Sequence, residues 1–260
     1  RVRRGSDGRF VPPALVATGA GADLRPTPDD VQCGRRRDQQ SRRGDSVELV
    51  AFTDEAGADL LGQRFGRVAT EPVSPGWEDE WKRFHRPVEV GPLWIGPPWE
   101  RPAAGLEPVV IDPGQAFGTG AHPTTRLCVE LLLELDRGSV LDIGCGSGVL
   151  AIAACKLGFG PVAAADSDQT AVEAATRNAE ANAVRVEVCL LDATVEGLPA
   201  AEIALANIDL ATLARLSPPS QLRALVTSGY YESERPDVAG FAHAARRAEA
   251  GWAADLFRPQ

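Results

Sequence analysis

The sequence predicts an α/β protein, a mostly parallel sheet with helices on both faces and a closing antiparallel hairpin, preceded by a reduced α+β unit. Three observations carry that prediction. From Ile111 onward, short strand-like runs at 139–143, 161–165, 185–190, 202–206 and 221–227 alternate with helical stretches near 124–135, 149–157, 168–182, 208–216 and 235–242. The first of these strands runs into glycines 144, 146 and 148 and then opens a helix. Two last extended segments, 243–249 and 252–257, are divided by Ala250-Gly251 and form the hairpin.

The opening 45 residues are a different material. They hold ten arginines and six aspartates, a balance of +4, against 17 basic and 30 acidic residues in the remainder. Rich in Pro, Gly and Arg and without sustained periodicity, residues 1–45 are expected to be poorly ordered or atypical. The cluster Arg35-Arg36-Arg37 with Arg42-Arg43 reads as a solvated tail rather than an RNA contact. The chain starts at Arg1 and holds no methionine, as a fragment or a translated prediction would.

Order is expected from Val47. The run Val47 to Phe52 has the make-up of a strand, and Asp54 to Leu61 suits a short helix after a Thr53 cap, so 46–70 reads as the remnant of a small α+β unit. Residues 71–110 carry eight prolines between Pro72 and Pro108 together with Trp77, Trp81, Trp94 and Trp99. That density disfavours a long helix, and the tryptophans are expected to fasten this connector to the main domain, 111–260.

Within the main domain the glycine turn carries the chemistry. Glycines at 144, 146 and 148 let the backbone approach a ligand with no Cβ in the way, and the N–H groups opening the next helix favour an anionic group such as a carboxylate. The spacing is GxGxG, not the GxGxxG of dinucleotide folds, which points to S-adenosylmethionine more than to NAD. Asp166 closes the second strand 18 residues after Gly148, close to the spacing at which an acidic residue accepts both hydroxyls of a ribose. The competing reading makes it a helix cap, a role open equally to Ser167 or Asp168. Ligands in such sheets lie beyond the carboxyl ends of the strands, where the glycine turn, Asp166, Asp192 and Asn207 all fall.

Composition removes several classes. A net charge of −9 argues against a nucleic-acid binder working through bulk electrostatics, although an acidic surface attracts a basic protein. Cysteines 33, 128, 145, 155 and 189 show no paired short spacing, which favours a reduced, cytoplasmic setting over a disulfide framework or a zinc site, and no metal is expected. No run of 18 apolar residues suits a membrane span, and the start lacks the apolar core of a secretion signal.

Residues 112–125, Asp-Pro-Gly-Gln-Ala-Phe-Gly-Thr-Gly-Ala-His-Pro-Thr-Thr, resemble the signature of the PrmA family, enzymes that methylate the eleventh protein of the large ribosomal subunit. The connector is similar too, in Trp77, Trp81-Lys82, Phe84-His85 and Leu93-Trp94-Ile95, as are the runs 141–154 and Ala206-Asn207-Ile208. The likeness spans roughly residues 75–230, and its FGTGxHxTT element is far more specific than the glycine turn. It implies a Rossmann-like class I methyltransferase using S-adenosylmethionine, with binding positions on Thr125, Gly144, Asp166 and Asn207. It also implies a ribosomal protein as partner, lysine or N-terminal amines as acceptors, a cytoplasmic monomer, and no contact with DNA or membrane. Two departures stand out: Asp209 falls where the family's Asn-Ile-Leu-Ala run has leucine, and residues 1–45 do not read as the first half of the family's ferredoxin-like front domain.

Methyl transfer from a sulfonium is an in-line displacement, so placement of the donor carbon about 3 Å from the attacking nitrogen matters more than an acid or base. Deprotonating a lysine of pKa near 10.4 at pH 7 costs roughly 4.6 kcal/mol, and a dry pocket lowers that cost. Phe117 either closes such a pocket or packs in the core. Asn207, the one candidate catalytic residue, either accepts a hydrogen bond from the neutral amine or makes a strand-end turn. His122, followed by Pro123, is read as shaping its loop rather than accepting a proton. Two alternatives remain open: a small-molecule N-methyltransferase, and a non-catalytic S-adenosylmethionine-binding module in ribosome assembly. An Asn/Asp-Pro-Pro-Tyr run, the mark of glutamine and adenine amino-methyltransferases, is missing where Ile208 follows Asn207.

Overall fold

The computed structural model describes residues 14–20, 46–52, 68–71, 86–112, 120–219 and 221–260. The chain divides into two compact units, residues 1–84 and 85–260. In the first, β1 (Ala14–Ala20) is the centre of an antiparallel sheet between β2 (Ser46–Phe52) and β3 (Val68–Glu71). The strand over 46–52 is as expected. For residues 14–20 the expectation of poor order is corrected: Ala14-Leu15-Val16-Ala17-Thr18 is an extended apolar run bracketed by Pro13 and Gly19, which the arginine-rich average over 45 residues conceals. The rest of 1–45, and the helix expected at 54–61, lie outside the described residues.

The second unit begins with a small sheet of β4 (Val88–Val90), β5 (Leu93–Gly96) and β6 (Glu107–Val110), antiparallel then parallel. Its apolar face carries Val90, Leu93, Ile95 and Val109 into the main core. Trp94 is buried and Trp99 half-buried, while Trp77 and Trp81 lie outside the described residues.

The rest alternates as the sequence predicts: α1 (Pro123–Leu133), β7 (Val140–Ile143), α2 (Val149–Lys156), β8 (Val162–Asp166), α3 (Gln169–Ala181), β9 (Val186–Leu190), β10 (Ile203–Asn207), α4 (Leu210–Leu213), β11 (Ala224–Tyr231), β12 (Phe241–Glu249) and β13 (Trp252–Pro259). The seven strands lie in the order β12-β13-β11-β10-β7-β8-β9, parallel from β11 to β9 and antiparallel across the hairpin. Helix α2 is apolar on all sides through Val149 to Ala154, so it is buried outright. Helix α3 buries one stripe, Ala171, Ala174, Ala175, Asn178 and Ala179, and turns its charged residues outward.

Three boundaries differ from the sequence reading. No helix forms over 235–242, because Pro236 cannot donate to a preceding turn and Gly240 takes a positive φ; β12 then starts at Phe241, two residues earlier than read. The helix read at 208–216 shrinks to the single turn of α4, stopped short of Pro218-Pro219. Strand β11 is displaced toward its carboxyl end, reaching Tyr231 through a bulge at Ser228/Tyr230.

The topology decides where a ligand can sit. From β7 the chain winds outward through β8 to β9, then crosses back to β10 on the other side of β7, so strand order reverses between β7 and β10. In open α/β sheets the crevice outside the carboxyl ends at such a reversal takes the ligand.

Candidate functional site

Register places Ile143 opposite Ala206, so Gly144 and Asn207 leave adjacent strands side by side at the reversal. Glycines 144, 146 and 148 have φ of +68°, +53° and +80°, all left-handed. The turn is anchored on the neighbouring strand, since Gly144 N and Cys145 N both donate to the Ala165 carbonyl, at 2.8 and 3.1 Å. A Cβ on Gly144 would lie 2.6 Å from Ile208 Cγ2, so the residue after Asn207 packs directly on this turn.

Gly148 is the N-cap of α2 and has no side chain to satisfy the helix amides. Asp142, on the preceding strand, does it instead: Ala151 N donates to its Oδ2 at 3.0 Å. Burial pushes that carboxyl up to about 7; the Ala151 hydrogen bond opposes the rise and the charge of Asp166 adds to it.

Asp166 holds the turn from the other side. Its Oδ2 accepts from Gly146 N at 2.9 Å and its Oδ1 from Asp168 N at 3.0 Å. The helix-cap role weighed for it belongs to Asp168, whose Oδ1 accepts from Thr170 N at 2.8 Å as N-cap of α3. Asp192, beyond β9, accepts from Thr194 N and Oγ1, and these bonds hold its carboxyl below the usual range.

Asn207 is half-buried, and its side-chain amide makes no hydrogen bond among the described residues. Asp209 caps α4, with Oδ1 accepting from Thr212 N at 3.0 Å and Oδ2 from Thr212 Oγ1 at 2.7 Å; the Thr212 hydroxyl is the main cause of its lowered pKa. A carboxylate there is thus first a helix cap.

Thr125 lies in the first turn of α1, buried, its N donating to the His122 carbonyl at 3.1 Å. His122 is the N-cap of α1: its Nδ1 accepts from Thr124 N at 3.4 Å and lies 2.8 Å from Thr124 Oγ1. Burial, then the Arg126 charge, lowers its pKa. A ring nitrogen engaged with its own helix start suits the loop-shaping role. Phe117 and the rest of 113–119 lie outside the described residues. Gly144, Asp166 and Asn207 therefore meet at one place, and Thr125 stands on α1, which packs against β10 and β11.

One organising residue escaped the sequence reading. Asn178, 4 % exposed, donates from Nδ2 to the Ser147 carbonyl at 2.9 Å and accepts on Oδ1 from Asp112 N at 3.1 Å. It joins the glycine turn to the stem of the 112–125 motif. Asn182, one turn on, clamps β6, accepting from Val110 N at 2.8 Å and donating to Val110 O at 2.6 Å. The available signal was a pair of helix-disfavoured asparagines four apart on an alanine-lined face.

One carboxylate, Asp166, flanks the turn at the crevice, and among the described residues it forms no ion pair with a basic side chain; Asp142 lies buried behind the turn, its carboxyl pushed up to about 7.

A family model described as ribosomal protein L11 methyltransferase (PrmA) matches residues 45–233. The ribosomal protein L11 methyltransferase of Vibrio parahaemolyticus serotype O3:K6 is 40% identical over 219 residues, 76% of this chain and 74% of that protein. That of Myxococcus xanthus is 43% identical over 200 residues, 72% of this chain and 69% of that protein. Among solved structures, the ribosomal protein L11 methylase of Lactobacillus delbrueckii subsp. bulgaricus superposes with a TM-score of 0.58 at 25% identity, covering 68% of this chain and all of the other.

Proposed function

The chain belongs to the ribosomal protein L11 methyltransferase family, and from that premise we propose that it transfers methyl groups from S-adenosylmethionine to amino groups of ribosomal protein L11, on lysine or at the N-terminus. The observation that carries the proposal is the meeting of the left-handed glycine turn, the Asp166 carboxylate and Asn207 at the strand-order reversal. The residues suit this donor: it bears a sulfonium and an ammonium, and the turn is held by the Asp166 carboxylate, which has no cationic partner among the described residues. When bound, S-adenosylmethionine supplies an electrophilic methyl carbon on sulfur.

Asp166 would accept from the ribose hydroxyls, which its hold on Gly146 N leaves room for because each carboxylate oxygen can take a second donor. Gly144 would let the backbone approach the donor, and Thr125, from the start of α1, would close its other side. Asn207, with its amide uncommitted, would accept a hydrogen bond from the neutral acceptor amine and aim its lone pair at the methyl carbon. The first unit, with its three-stranded antiparallel sheet, would present the substrate protein.

The test is incubation with methyl-labelled S-adenosylmethionine and purified large-subunit ribosomal proteins. Label on L11 amines is expected, with turnover by Asn207→Ala lower by about 5- to 150-fold. Donor binding without label on L11 would overturn the proposal.

A further inference from the structure

Two ion pairs join the edge strand β12 to α1, one at each end of the helix. At its end, Arg247 Nη2 donates to Oε1 of Glu134, the C-cap residue. At its start, the Arg126 guanidinium meets Glu249 as a fork, Nε donating to Oε2 at 3.1 Å and Nη2 to Oε1 at 2.5 Å. Arg126 also reaches further: its Nη1 donates to the Ala121 carbonyl at 3.1 Å, five residues back along the chain. That acceptor is available because Thr125 N, which an α-helical ladder would send to Ala121, donates to His122 instead. One planar cation thus spans the edge of the sheet and the loop that leads into α1.

Ala121 belongs to the 112–125 motif, and packing shows where its segment sits. Gly120, with φ of +82°, has no room for a side chain: a Cβ would lie 2.3 Å from Ile95 Cγ2 and 3.6 Å from Val149 Cγ2. Ile95 is in β5, and Val149 is the first residue of α2, directly after Gly148 of the glycine turn. The backbone at 120–121 therefore lies against the residue that follows the turn. One step on, the His122 ring meets Trp252 edge-on, with centroids 4.8 Å apart and planes at 71°. Trp252 is the register partner of Glu249. The hairpin tip bears on this segment twice, at His122 through the indole and at Ala121 through Arg126.

We propose that Arg126, anchored by Glu249, is a positioning residue for the methyl donor, holding residues 120–125 against the glycine turn and thereby fixing where Thr125 stands. The inference rests on the reading above in which Thr125 closes one side of the donor site. A carbonyl just before a helix start can be satisfied by water as well as by protein, so the Arg126 bond adds little to folding; what it adds is location. The fork onto Glu249 matters because it leaves the guanidinium one orientation, with Nη1 aimed at Ala121. The Arg126 side chain is only 22% exposed, which limits the screening that weakens surface pairs. Arg247, 45% exposed, makes the same kind of pair at the far end of α1 and, among the described residues, bonds to Glu134 alone.

The experiment sets S-adenosylhomocysteine binding by the full chain, measured by isothermal titration calorimetry, beside urea denaturation of the same variants. Arg126→Met, which keeps the apolar stem without a donor, is expected to raise the Kd about two- to ten-fold, the worth of one lost hydrogen bond, while the urea midpoint stays close to wild type. The carbon-13 resonance of the Ala121 carbonyl moves upfield as that bond is lost. The exchange of Arg126→Glu with Glu249→Arg re-forms the ion pair but leaves no N–H at position 126 for Ala121, so the Kd stays raised. Arg247→Met, which breaks the other pair, leaves both Kd and resonance at wild-type values. An unchanged Kd or an unmoved resonance in Arg126→Met, an equal rise in Arg247→Met, or full recovery in the exchanged pair overturns the positioning role. Those results leave donor binding by the wild type intact; a wild-type chain that binds no S-adenosylhomocysteine would instead sink the donor site of the proposed function, and the positioning role with it.

Discussion

Substitution of Asp166 tests the donor site most sharply, because this carboxylate does two things that can be separated. Asp166→Ala removes the acceptors of Gly146 N and Asp168 N, and with them the expected partner of the ribose hydroxyls. Hydrogen bonds to a charged group contribute about 1.5–3 kcal/mol each, but both backbone amides can turn to water in the variant, which returns part of that. The net loss of donor affinity is then about 1–3 kcal/mol, or roughly 5- to 160-fold in Kd. Isothermal titration calorimetry with S-adenosylhomocysteine reads it directly. A 2′-deoxy analogue distinguishes turn positioning from ribose recognition by a double-mutant cycle: wild type discriminates against it, and Asp166→Ala binds both ligands alike. A Kd within about two-fold of wild type, or discrimination undiminished in the variant, would refute the ribose assignment.

Asp142 gives a pH-dependent stability. Its folded pKa, about 7, lies above the ordinary 3.8, so the folded state holds the proton more tightly; stability is greatest below about pH 4 and is lost as pH rises through 7. Asp142→Asn removes that loss while keeping an acceptor for Ala151 N, so its advantage over wild type, measured by urea denaturation, is absent at acid pH and reaches at most about 4 kcal/mol above pH 8; an advantage independent of pH would contradict this. Asp255, 0% exposed, accepts from Tyr230 Oη at 2.8 Å, meets His243 Nε2 at 2.7 Å, and pairs with Arg246 at 3.5 Å. Asp255→Ala strands a mostly buried guanidinium and should cost about 3–5 kcal/mol in the same denaturation measurement, where a loss under about 1 kcal/mol would show the cluster to be dispensable.

Much of this architecture is legible in the sequence because local pattern and tertiary environment agree. Strands β7, β8 and β10 are buried apolar runs and α2 is apolar all round, so periodicity, turn residues and burial all point one way. The glycine turn was readable because left-handed φ at 144, 146 and 148 is a backbone requirement that glycine meets. Elements fixed from a distance were not readable. The turn at 232–234, just before the irregular stretch that Pro236 and Gly240 impose, is held by Arg246 through the Glu232 and Glu234 carbonyls. The cap of α2 comes from Asp142, six residues before Gly148, and no motif of adjacent positions announces it. Residues 14–20 escaped because a seven-residue strand was averaged into an arginine-rich background.

The glycine turn and the segments around it are tied together by hydrogen bonds and packing. Asn178 ties Asp112, at the head of the 112–125 motif, to Ser147 within the glycine turn. Asp166 ties Gly146 of that turn to the start of α3 through Asp168 N. Ile208 packs where a Cβ on Gly144 would fall, so any shift of the turn moves the residue beside Asn207. Methyl transfer in line tolerates displacements well under 1 Å between the reacting atoms, and a site with no metal-like fixed point must obtain that tolerance from backbone contacts. Gly144 serves this by leaving room for the Ile208 side chain against the turn, and the buried Asn178 by bonding both to Asp112 N and to the Ser147 carbonyl. Placement, which is most of what this chemistry asks of a protein, is thereby built from the same bonds that hold the turn in its left-handed conformation.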